Sequence, residues 1–195
     1  MSDELEDFLK NTNSKTGTIE ESVKLINYLG KTIGGKGLII SDRNQISGAC
    51  FEIAIEHHRA IIILINEKTI GSAFALSRCV FESCVRGVWL WKCASDDEIK
   101  VFKKNDRIKE IKLLIEDIEK LPNYDIPYFS DMKKLYWSAL CGYAHTGMRQ
   151  IERRFEKGDI GPNYTEEEIK GIMINVNNLG IFAALQILQM ALRKP

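Results

Sequence analysis

Arg78, Glu82 and Arg86 follow one another at four-residue intervals inside an otherwise apolar stretch, Thr69 to Ala94. At about 100° per residue this spacing puts all three on one side of a helix, where each neighbouring pair can bridge. Out of water, an arginine or glutamate costs several kcal/mol unless it is paired and hydrogen-bonded. Three arrangements satisfy that demand: a buried structural network, a seam between two copies of the chain, or an anion site. In the last, the arginines hold phosphate and the glutamate orients them.

The second stretch with chemical potential is Tyr143-Ala144-His145-Thr146-Gly147-Met148-Arg149-Gln150. A histidine changes protonation near neutral pH and suits proton transfer, and Arg149 supplies a cation for a phosphate. If the helix continues through this stretch, Ser138, Gly142, His145 and Arg149 share a face. If it stops, the histidine caps carbonyl groups and Arg149, Arg153 and Arg154 form a surface cluster. His57 and His58 are adjacent, so on a helix they point about 100° apart and cannot chelate one metal. One is expected in the core and the other outside, and neither a metal nor a cofactor is implied.

Four long helices have to position these groups. The Thr69–Ala94 stretch is apolar on most of its circumference, with Ala73, Leu76, Val80, Cys84, Val88 and Trp91 opposite the charged stripe, so it reads as a central helix enclosed by others. Thr18 and Glu21 form a capping box for a first helix, and Ser41 or Asp42 caps a second that runs to about Asn66 and forms a hairpin with the central one. Ser95 and Glu98 cap a helix that reaches Phe102 and can bend on into Ile111–Ile118. Pro122 and Pro127 break the chain, Ser130 to about Gly147 is helical again, and Thr165 with Glu168 caps the last helix. Trp89, Trp91, Tyr136 and Trp137 are expected to pack between helices rather than stack on bases. The charged side of Ile111–Ile118 reads as a solvated face. Gly30-Lys31-Thr32 resembles the end of a phosphate-binding loop, but Leu25 stands where the leading glycine belongs and no strand precedes it.

No stretch alternates with period two, so the fold class is all-α: an up-and-down helical bundle of six or seven helices. Residues 1–17 are expected to be a flexible arm and 18–195 a single domain. The 195 residues, 45% apolar and 28% charged, suit one soluble domain. Twenty-seven basic and 27 acidic residues cancel, which excludes binding to nucleic acid or membrane through bulk charge and leaves only a local patch. The acidic start MSDELEDFLK has no apolar core of a signal peptide, and Ala60–Ile65 is too short to span a bilayer, so a cytoplasmic location is expected. Five cysteines without C-x-x-C spacing read as reduced, buried small residues.

Three phrases together resemble a bacterial family described only as a domain of unknown function. They are Ile55-Glu56-His57-His58-Arg59-Ala60; Ser72-Ala73-Phe74-Ala75-Leu76-Ser77-Arg78 with Phe81-Glu82 and Val85-Arg86-Gly87-Val88-Trp89-Leu90; and Tyr143-Ala144-His145-Thr146-Gly147 with Gln150 and Arg153-Arg154. The resemblance covers nearly everything after residue 40 and conveys no activity. More distantly, the layout resembles HEPN-like domains of bacterial toxin and phage-defence systems, many of them dimeric, metal-independent ribonucleases. Their arginine followed four to six residues later by a histidine is missing here: Arg59 follows His58 and Arg149 follows His145. The resemblance therefore implies a homodimer acting on or binding RNA or a nucleotide, with the site assembled from different helices. In it His145 transfers protons, Arg78, Arg86 and Arg149 hold phosphate, and Glu82 orients the arginines. The alternative is a non-catalytic interaction module, an immunity or regulatory partner, in which the stripe is purely structural.

Overall fold

A helix that is apolar on nearly every side can leave water only inside a ring of other helices, and the computed structural model of the chain has that arrangement. The structure describes residues 17–105, 109–122, 127–156 and 158–192, together with Asp7, Lys10 and Thr12. The arm expected over 1–17 otherwise lies outside the described residues. Eight helices are described: α1 (Ile19–Ile33), α2 (Asp42–Asn66), α3 (Ile70–Lys92), α4 (Asp96–Asn105), α5 (Ile111–Glu119), α6 (Tyr128–Ala144), α7 (Met148–Glu152) and α8 (Glu166–Leu192). The chain is an all-α bundle. Eight helices among the described residues compare with the six or seven expected; the five-residue α7 forms after the chain turns at His145. A two-residue antiparallel ladder, β1 (Phe155–Glu156) and β2 (Asp159–Ile160), joins α7 to the last helix.

The helix starts follow the capping signals. Thr18 accepts from the Glu21 N–H at 3.3 Å and Ser41 from the Asn44 N–H at 3.1 Å. The Ser95/Glu98 and Thr165/Glu168 boxes close in both directions at 2.8–3.2 Å. Each such cap contributes about 1 kcal/mol. At the other end of α3, Arg43 of α2 donates to the carbonyls of Leu90 and Ala94 at 2.8 and 2.6 Å and pairs with Asp96. This long-range cap leaves no trace in the local pattern.

α3 is the hub: it packs against α2, α5, α6 and α8. Val80, Cys84, Val85 and Leu90 are wholly buried. Gly87 lets α2 approach, since a Cβ there would stand 2.6–2.8 Å from the buried Phe51 ring. α8 packs on α1, α2 and α3. It is long and apolar enough to cross a membrane by length and composition alone, and 61% of that apolar window is buried in the bundle. A buried aromatic or leucine contributes about 1.5–3 kcal/mol, whereas a partly exposed ion pair contributes about 1 kcal/mol at most. Phe51, Phe81, Phe129 and Leu90 alone therefore outweigh every ion pair on the charged stripe.

Of the two adjacent histidines, His58 is wholly buried, as expected of one of the pair, while His57 is half-buried rather than exposed. His58 Nε2 lies 2.8 Å from Asn177 Oδ1, the Asn177 amide donates to Ser22 Oγ at 2.9 Å, and Ser22 donates to the Thr18 carbonyl. The direction of that chain requires the proton on His58 Nε2. It ties α1, α2 and α8 together through a polar thread in an apolar core. The cysteines are all free, but only Cys84 is buried; Cys79 is exposed, because it faces away from the hub contacts of α3. That corrects the expectation that all five are buried.

Candidate functional site

The α3 stripe forms as its spacing requires. Arg78 Nε donates to Glu82 Oε1 at 2.6 Å, and Arg86 donates to Glu82 Oε2 at 2.8 Å. One carboxylate thus serves two guanidinium groups. The side chains of Arg78 and Glu82 are 21% and 15% exposed and that of Arg86 is 38%, so the row is shielded from water but reached by it. Arg86 Nε is buried and unpartnered. Beside Arg86, burial pushes the Cys50 thiol up to about 11, so it stays protonated and uncharged next to the arginine.

His145 reaches this row from α6. The His145 N–H makes the last helical bond, to the Cys141 carbonyl at 3.0 Å, and the Gly147 N–H then reaches back to the Gly142 carbonyl at 2.7 Å, the six-to-one closure of a Schellman-type end. Thr146 takes the left-handed position, φ 54°, that glycine normally fills. Gly147 lies against Gly142; a Cβ on it would meet Gly142 Cα at 3.0 Å. The turn presents the His145 ring outward, where its Nε2 meets the terminal nitrogen of Arg78. A guanidinium only donates, so Nε2 accepts and the ring proton sits on Nδ1.

The helix does not continue past His145, so the shared face of Ser138, Gly142, His145 and Arg149 does not form. Arg149 lies along Gly142 instead, its side-chain carbons 3.4–3.7 Å from where a Gly142 Cβ would be, and it is exposed. Three of the five predicted site residues, Arg78, Glu82 and Arg86, line one cleft. His145 joins it through Arg78, and Arg149 stands apart.

That cleft, about 470 Å³, opens between α3, α5 and α6. Besides the stripe it is lined by Lys109, Glu110, Ile111, Lys112, Lys133 and Trp137. Arg78 stacks over the Trp137 ring at 4.9 Å, and Lys133 Nζ is 5.8 Å from the same ring. Lys109 is tied to Glu98 at 2.7 Å and Asp117 at 3.3 Å; the Glu98 contact raises its pKa. Lys112 reaches Glu116 at 3.8 Å. Lys133 has no carboxylate partner among the described residues. The lining is cationic: Arg78, Arg86, Lys109, Lys112 and Lys133 face Glu82 and Glu110.

Sequence reasoning missed Lys109, Lys112, Lys133 and Trp137. The charged side of α5 is not simply a solvated face, because α6 folds back beside it and makes it the wall of a cleft. Trp137 packs between helices as expected, 6.1 Å from the Phe81 ring, but it is only half-buried and its other face walls the cleft, unlike Trp89 and Trp91, which are 4% and 7% exposed. No local pattern signals this: Lys133 and Trp137 gain their meaning only from where α6 crosses α3.

A family model described as a family of unknown function, DUF6988, matches residues 51–194. The chain belongs to that family. DUF6988 thus spans the whole cleft, from α3 through α5 and α6, and the His145 turn. No curated protein and no solved structure matches the chain.

Proposed function

We propose that this DUF6988 protein binds RNA or a nucleotide by its phosphate in the α3/α5/α6 cleft, with His145 as the proton-transfer group at the rim. The observation that carries this reading is Arg78, which touches Glu82, Trp137 and His145 at once on the wall of a cation-lined cleft. Glu82 fixes the plane of both arginines, so their remaining N–H groups are set before a ligand arrives, and ordering them then costs little. A phosphate oxygen is a stronger acceptor for a guanidinium than a neutral imidazole. Phosphate arriving at Arg78 would displace His145 and leave the Nε2 lone pair free to take a hydroxyl proton. Binding and proton transfer are coupled in this scheme, and Arg149 takes no part in it.

The kinship with HEPN-like ribonucleases, the toxin or phage-defence setting, the homodimer and the cytoplasmic location belong to the same proposal. The competing account, a non-catalytic interaction module, draws on one observation: Glu82 spends both oxygens on the two arginines, as a structural bridge would. Titration of the purified protein with short RNA and with mononucleotides, followed by product analysis, separates the two. The proposal expects binding that Arg78→Gln weakens and cleavage that His145→Ala abolishes. No binding of either ligand, or cleavage that survives His145→Ala, would overturn it.

A further inference from the structure

Outside the cleft, two turns before Arg78 on the same helix, Gly71 seats another arginine. Arg154, just past the end of α7, lays its guanidinium there: a Cβ on Gly71 would stand 2.3 Å from the Arg154 terminal nitrogen and 3.1 Å from the Tyr164 hydroxyl. A side chain at position 71 would push the guanidinium off this seat. At about 100° per residue, Gly71 falls within about 20° of Arg78 around α3, so Arg154 joins the face that carries the Arg78/Glu82/Arg86 stripe. Gln150 of α7 donates to the Gly71 carbonyl at 3.4 Å and holds α7 against this end of α3.

The charge placed there is uncommitted. Arg153 is spent on Glu168, whereas the Arg154 guanidinium has no carboxylate partner and no hydrogen bond among the described residues. The Tyr164 hydroxyl beside it is buried and also without a partner, so no polar contact fixes the guanidinium. The backbone of α3 does not compensate it either, since the first turn of a helix carries a partial positive charge. A half-buried arginine with no anion beside it is placed for one that arrives from outside.

The spacing says what kind of anion. Glu82, where the Arg78 and Arg86 guanidinium groups meet, lies eleven positions beyond Gly71, about 16 Å along the helix axis. A stacked strand advances about 3.4 Å per phosphate, so about five nucleotides connect the two places and a mononucleotide reaches only one of them. His145, in contact with Arg78, lies between them, so a strand seated at both crosses it. A cationic track with an aromatic ring on its wall, here Trp137, is the ordinary design for holding a single strand by its backbone.

We propose that the ligand is a single strand of RNA with a footprint of about five nucleotides, seated along one face of α3 with one phosphate at Arg78 and Arg86 and another at Arg154. This rests on the phosphate reading of the cleft and adds the length of strand that the site takes.

The probes are uridine monophosphate and oligouridylates up to the octamer, titrated into the full-length protein by calorimetry at fixed salt. The expected result is affinity that rises at least about tenfold from the monophosphate to the hexamer and then levels off. Arg154→Gln is expected to cancel that gain, to lower the hexamer's slope of log K against log salt by about 0.7, and to leave the monophosphate unchanged. Arg154→Lys keeps the charge and most of the hexamer affinity. Gly71→Ala, which unseats the guanidinium without removing it, is expected to weaken the hexamer selectively, so the outcome does not rest on one variant folding. A monophosphate that binds as tightly as the hexamer, or a hexamer that neither Arg154→Gln nor Gly71→Ala weakens selectively, overturns the strand and leaves the phosphate cleft standing. Failure of the wild type to bind monophosphate and oligomer alike overturns both.

Discussion

The His145 imidazole and the Arg78 guanidinium, 67 positions apart in the chain, meet at the mouth of a cation-lined cleft, and Arg78 is shared between that histidine and Glu82. His145 is exposed and lies outside the packed core. Replacing it with alanine is expected to change unfolding free energy by no more than about 0.5 kcal/mol, as for other surface substitutions. Urea unfolding of the wild type and His145→Ala checks this. A loss of several kcal/mol would make the contact structural rather than functional.

Lys133 carries the cleft's least committed charge, and its removal should be read in the salt dependence of RNA binding. Each phosphate contact on a single strand contributes about 0.7 to the slope of log K against log salt. Lys133→Gln is expected to reduce the slope by about that amount and to weaken binding similarly across sequences. An unchanged slope would place Lys133 outside the ligand's reach.

The buried His58 makes the fold sensitive to acid. Burial lowers its pKa from the ordinary 6.5, and its bare Nδ1 has no acceptor to receive a second proton's hydrogen bond. Above pH 6.5 both the folded and unfolded states hold a neutral ring and no penalty exists. Below it the unfolded chain gains a proton that the folded chain refuses, so stability falls toward the folded-state pKa by at most about 1.4 kcal/mol per pH unit. Urea midpoints measured between pH 7.5 and 5.5 should drop over that window. A flat profile would mean that the His58–Asn177–Ser22 thread accommodates the charge.

Thr146 stores strain at the turn that presents His145. A β-branched residue in the left-handed region costs about 1–2 kcal/mol relative to glycine. Thr146→Gly is therefore expected to raise the unfolding free energy by about 1 kcal/mol, while Gly147→Ala, which would press a methyl into Gly142, lowers it by about 1–3 kcal/mol. Thermal unfolding of both variants is the check, and the same sign for the two would contradict the turn geometry.

The hub helix, the capping boxes and the Arg78/Glu82/Arg86 stripe were legible in the sequence because each is set by neighbours within one turn. Ser95 and Glu98 meet because a helix start puts them together, and Arg78 and Glu82 because four residues make about one turn. What could not be read was set by tertiary packing: the Arg43 cap on Leu90 and Ala94, the turn that detached Arg149 from His145, and the way α6 brings Lys133 and Trp137 over the stripe. Cys79 shows the same limit. Its apolar context suggested burial, but among the described residues its position on α3 is left exposed.

The central claim, that the α3 stripe is a ligand site and not a structural brace, is tested most directly by Arg86→Gln. This change removes one of Glu82's two partners and leaves the Arg78 contact in place. RNA affinity and thermal unfolding are measured on the same preparation. The account predicts an affinity at least tenfold weaker with a melting temperature within a few degrees of the wild type. An unfolded or dissociated protein, or a folded one that binds RNA as well as the wild type, would contradict it.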